Sequence, residues 1–142
     1  MTMKWSDDRL KPFDEQGFVV VEDFYAEEKR ARIAAALRQT LPPWEIAKDD
    51  PSEGGILGDG FPYSEMLFND LIVDPALISF VQWALKTEDI HFRYAHNWVK
   101  YPNWPSTVKL HRDNGNNSLL PTCDDRRYAQ ISCWYFPEEV RE

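Results

Sequence analysis

His111 and Asp113 are the residue pair best placed to do chemistry. They stand two apart, after the apolar alternation Val108, Leu110 and before the turn-forming run Asn114-Gly115-Asn116. On an extended chain, side chains two apart point to one face. An imidazole and a carboxylate would then reach the same metal ion, as two of the three protein ligands of a 2-His-1-carboxylate iron site. The sequence holds three histidines, His91, His96 and His111, and none follows Asp113. His91 and His96 fall on opposite faces of one strand, so both cannot serve a single metal. His96 becomes a third ligand only if its strand pairs beside that of His111; otherwise it is a pocket or core histidine. The plainer reading of His111 with Asp113 is a hydrogen-bonded surface pair beside a turn, and a motif this short does not decide by itself.

Other chemistries find less support. No nucleophile–base pair, phosphate-cradling glycine loop or paired-cysteine zinc site is evident. Cys123 and Cys133 lie in no metal or redox spacing and read as reduced thiols of a cytosolic protein. Lys plus Arg is 16 against 24 Asp plus Glu, a net charge of −8, which repels a phosphate backbone and argues against nucleic acid. Arg126-Arg127 after Asp124-Asp125 reads as a solvated charge cluster, and Lys100 and Lys109 as solvated cations. Neither a signal core nor an apolar run of membrane-spanning length is present, so the expectation is a cytoplasmic protein with no membrane partner.

The elements that must position these residues follow from pattern. A chain of 142 residues is one domain's worth (1–142), and 43% hydrophobic content suits a packed core. Aromatic content of 14% suits a β-rich core or a lined pocket. Leu10 and Phe13 are spaced as on one helical turn, and Gln16-Gly17 ends a short lead-in helix. Phe18 to Phe24 is β-branched and reads as a strand. Ala26 to Thr40 is the clearest helix, with Ala31, Ala34, Ala35, Leu37 and Leu41 on its apolar side, Glu27 and Glu28 in its first turn, and Pro42-Pro43 ending it. Trp44 to Gly60 is rich in Gly and Asp and reads as a long lid or binding loop. A short helix closes near Asn69–Val73. Asp74 then caps a second, with Pro75 at its first position and Leu77, Ile78, Val81 and Leu85 as its stripe. Asp89 to Tyr101 reads as a strand with Phe92, Tyr94, His96, Trp98 and Lys100 on one face. Tyr128 to Phe136 reads as another, with Gln130, Ser132 and Trp134 on one face. Helices first and strands after predict an α+β domain, helices packed on an antiparallel sheet.

With these pieces in order, the sequence resembles the phytanoyl-CoA dioxygenase family of Fe(II)- and 2-oxoglutarate-dependent oxygenases. Phe13 to Val21 is similar to the family's opening helix, glycine and strand; Leu67 to Leu77 and Lys100-Tyr101-Pro102 continue the likeness. His111-Arg112-Asp113 matches the iron-binding His-x-Asp, and Trp134 to Val140 is similar to the core strand that follows. The resemblance implies that His111 and Asp113 are iron ligands and that Trp134 and His96 line the 2-oxoglutarate site. It also implies oxidative decarboxylation of 2-oxoglutarate coupled to hydroxylation of a C–H bond in a small organic substrate. Arg112 stands where relatives often carry glutamine. The family's third ligand, a later histidine, and its 2-oxoglutarate-binding arginine have no counterpart after Asp113. The resemblance thus implies a truncated or partial member, with a double-stranded β-helix (jelly-roll, cupin-like) lacking its distal strands.

Two other readings stand beside it. One is a non-catalytic relative acting as a protein-interaction module, self-associating through an open sheet edge at Tyr128 to Phe136. The other is a cupin-like metal enzyme using His96, His111 and Asp113.

Overall fold

A computed structural model describes residues 5–49, 56–101 and 124–139. Five helices dominate it. Helix α1 (Asp7–Gln16) stops at Gly17, whose φ of 79° lies in the left-handed region and whose N–H bonds back to the Phe13 carbonyl. A Cβ there would meet nothing within 4 Å, so the position restricts conformation alone. Gly17→Ala is therefore expected to destabilise by about 1 kcal/mol with no change in packing; a urea midpoint equal to that of the parent would refute this.

Helix α2 (Glu27–Thr40) carries Glu27 and Glu28 in its first turn and Arg38 in its last, each charge opposing the helix dipole's local sign. It buries Ile33 and Ala34. Helix α3 (Trp44–Ala47) and strand β1 (Ile56–Gly60) both lie inside the stretch expected to be a loop. Helix α4 (Met66–Ile72) is capped by the Glu65 carboxylate, which accepts the Leu67 N–H. Helix α5 (Pro75–Leu85) begins as the sequence predicts: Asp74 accepts the Ala76 N–H at 2.9 Å, and Pro75 sits at the first position, where no N–H is needed.

The sheet has two strands among the described residues. Strand β2 (His96–Val99) pairs antiparallel with β1, Val99 opposite Ile56, Trp98 opposite Leu57 and His96 opposite Gly60, with an irregularity between Leu57 and Gly60. Gly58 explains the close approach of α2's end to this ribbon. A Cβ on it would stand 2.7 Å from a Leu41 methyl and 3.4 Å from the Asn97 Cβ. The architecture is thus mixed helix and antiparallel sheet, of the α+β class.

The sheet is smaller than the sequence predicts. Residues 18–24 keep the alternation of a strand, Val19 and Val21 half-buried between exposed Phe18 and Val20, but form no ladder. A turn at Glu22–Asp23, with φ of 50° at Asp23, ends the extended run. Of 89–101, only His96–Val99 hydrogen-bonds as a strand. Residues 129–136 follow a 3₁₀ turn (Arg126–Tyr128) and run without ladder bonds. The stretch 126–138 is held by side chains instead: Arg93 to Gln130 at 2.6 Å, Arg38 to Glu138, and Arg126 to Asp14 at 2.5 Å. Strand pairing needs an adjacent backbone, whereas alternation needs only one wet and one dry side; these segments have the second without the first.

Among the described residues, two apolar clusters form the core. Phe80 and Ala84 of α5 meet Trp5, Phe13, Val19 and Ile131. Ile33, Tyr63 and Phe68 meet Tyr25, Leu37, Ala95 and Tyr135. The Trp5 indole N–H donates to the Ala76 carbonyl at 2.9 Å, fastening the start of α5 to the chain's beginning. Between the clusters lies a polar knot. The Lys29 ammonium bonds the Asp74 carboxylate at 3.2 Å and sits 3.9 Å from the Tyr25 ring centre, and the Tyr25 hydroxyl also bonds Asp74.

Candidate functional site

Strand β2 positions the one constellation of candidate residues within the described part of the chain. Its alternation sets His96 and Trp98 on one face and Asn97 and Val99 on the other. The face bearing His96 is a row of rings. Tyr94 stacks on His96 with centroids 5.6 Å apart and planes within 1° of parallel. Trp134, from the C-terminal segment, stands 5.5 Å from Trp98 at 58°. Phe92 continues the row and meets Phe61 edge-on at 4.9 Å. The Arg93 guanidinium lies 5.4 Å from the Tyr94 ring centre. These rings are not core: Phe92 is 49%, Tyr94 52% and Trp134 60% exposed.

The C-terminal end of β2 is fixed by Tyr101. Its hydroxyl donates to the Pro42 carbonyl, its ring packs 5.6 Å from Trp44, and burial pushes its pKa up, so it stays a donor. The chain thus leaves β2 toward Pro102 from an anchored point.

The structure brings two of the four expected site residues into one neighbourhood. His96 lies on the β2 face, and Trp134 packs on Trp98 of that same face. His111 and Asp113 lie outside the described residues, as do Cys123 and Lys109. His91 is displaced from β2, exposed, with Nε2 3.5 Å from an Asp89 oxygen. Among the described residues, no group of three or more His, Cys, Asp or Glu could hold a metal ion. Cys133 is an exposed free thiol, and no helix among the described residues is long and apolar enough to cross a membrane. Tyr94 and Phe61 were not singled out by motif. Tyr94 had a signal in the alternation 92, 94, 96, 98, whereas Phe61 follows a glycine-rich stretch and had none.

An open groove of about 430 Å³ lies between α2 and Pro137–Glu139. Its two cations are already satisfied, Arg30 by Glu27 and Arg38 by Glu138. The Asp125 carboxyl is held below the ordinary aspartate value by its hydrogen bonds to Arg127, a local pair on the surface.

No family model matches this chain, and no curated protein or solved structure does either.

Proposed function

We propose that this chain carries part of a Fe(II)- and 2-oxoglutarate-dependent oxygenase similar to the phytanoyl-CoA dioxygenases, which hydroxylates a small organic substrate on a double-stranded β-helix. The observation that carries the reading is the order of the matching segments, Phe13 to Val21, Leu67 to Leu77, Lys100 to Pro102, His111 to Asp113 and Trp134 to Val140. Trp134 packing on the face that bears His96 supports it, because both residues are assigned to the 2-oxoglutarate side.

Neutral imidazole and carboxylate are donors that suit Fe(II), and His111 and Asp113 would supply one of each. The described residues hold no metal-binding group of their own, so the site depends on those two and on further donors. Iron held there would supply the chemistry by which dioxygen oxidises 2-oxoglutarate to succinate and carbon dioxide and delivers its second oxygen atom to a substrate C–H bond. His96 and Trp134 would line the cosubstrate.

The test is succinate formation from 2-oxoglutarate with Fe(II), measured on this chain and on one extended downstream. The extended protein should turn over, and His111→Ala or Asp113→Ala should reduce the rate by about 100-fold or more, as expected when a ligand is removed outright. If the extended sequence supplies no histidine and arginine at the family's distal positions, the reading fails.

A further inference from the structure

We infer that the ring-bearing face of β2 binds a planar aromatic carboxylate, its flat part lying on Trp98 and Trp134 and its anionic end held by Lys100. Naming this ligand as the substrate rests on the oxygenase reading above; the binding itself does not.

Three observations point to this ligand. First, the face presents rings in series, Phe92, Tyr94, His96 and Trp98, with Trp134 beside the last, and the exposed ones are about half open to solvent or more. Exposed apolar patches of this kind mark interaction surfaces. Second, the Trp98–Trp134 pair is tilted at 58°, so the rings do not close face to face and satisfy one another. A flat ligand adds a stacked partner, and aromatic stacking is tolerant of ring identity. Third, Lys100, two positions after Trp98 and one beyond the end of β2, is exposed and makes no ion pair among the described residues. Positions two apart on an extended chain are about 7 Å apart, a distance that a fused two-ring acid spans. A neutral planar compound would gain the stacking and miss the charge. An aliphatic acid would gain the charge and miss the stacking.

The experiment is the fluorescence anisotropy of 2-naphthoate with the full chain, without iron or 2-oxoglutarate. Competition by octanoate and by 2-naphthalenemethanol tests the two halves of the ligand. Trp134→Ala should weaken 2-naphthoate about tenfold, the loss of one stacked ring, and Lys100→Gln about fivefold, the loss of one charge-assisted contact. Val20→Ser, an exposed apolar site off this face, should leave binding unchanged. Both ring-face positions are exposed, and an unchanged far-UV spectrum confirms that the variants fold. The inference is overturned if octanoate or 2-naphthalenemethanol displaces 2-naphthoate at concentrations near the Kd of 2-naphthoate, if Trp134→Ala or Lys100→Gln binds like the parent, or if 2-naphthoate does not bind. Naphthoate binding without any 2-oxoglutarate turnover in the extended protein upholds this site and removes the oxygenase. Turnover without naphthoate binding does the reverse.

Discussion

Phe68→Ala is expected to lower the unfolding free energy by about 3–5 kcal/mol, the range for removing a buried aromatic side chain. Phe68 is 3% exposed and meets the Tyr63 ring at 5.4 Å, edge to face. The site has little freedom to collapse around the void. Tyr63 is pinned from both sides of its backbone, its N–H donating to Asn69 Oδ1 and its carbonyl accepting from Asn69 Nδ2, each at 2.9 Å. Behind them Ile33 is 1% exposed. Against a total stability of about 5–15 kcal/mol, such a loss leaves a marginal fold. Urea unfolding followed by circular dichroism measures it; a loss below about 1 kcal/mol would show that Phe68 is not the centre of this cluster.

Asp74→Ala carries the second large effect, about 2–3 kcal/mol. One carboxylate caps α5, bonds Lys29 of α2 and accepts from Tyr25. The cap accounts for about 1 kcal/mol. The charged bond to Lys29 adds roughly as much after allowance for the partial exposure of that side chain, 34%. Asn keeps the cap and loses the charge, so Asp74→Asn should cost about half as much. Burial alone would raise the Asp74 pKa. The Ala76 N–H, the Lys29 ammonium and the Tyr25 hydroxyl outweigh it and hold the group below the ordinary value of 3.8. The folded pKa is thus depressed. The resulting stability is fully present above 3.8 and is lost as pH falls through the lower folded value. Asp74→Asn should flatten that acid limb, and an unchanged slope would refute the linkage. Burial, and then the Asp74 charge, push the Tyr25 hydroxyl up, so it remains the donor throughout this range.

The helices were legible because their signals are local. Asp74-Pro75 and the acidic first turn of α2 specify their helix starts within a few residues, and Gly17 specifies a stop. The sheet was not, because pairing is a property of two segments. Ile56-Leu57-Gly58-Asp59-Gly60 has neither alternation nor β-branched density beyond Ile56, yet it supplies the partner of β2. Its glycine at 58 is set by proximity to Leu41 and Asn97, which no window of sequence reveals. Conversely, Phe18–Phe24 and Tyr128–Phe136 show strand composition and remain without ladders. At the site, the alternation 92, 94, 96, 98 was readable as one face. The arrival of Trp134 beside Trp98 depended on a contact across 36 positions, from 98 to 134, that only the fold supplies.

The side-chain tethering of residues 129–138 has a kinetic meaning. Ile131 packs on the α5 cluster and Tyr135 on the α2–α4 cluster, while Glu138 reaches Arg38. A chain made from its amino end at roughly 5–20 residues per second would display both half-covered clusters until this segment emerged. High sequence separation in its contacts, 100 positions for Arg38 and Glu138, adds to the topological delay. During that interval α2 and α5 offer apolar surface to any holding factor, until Ile131 and Tyr135 arrive to cover it.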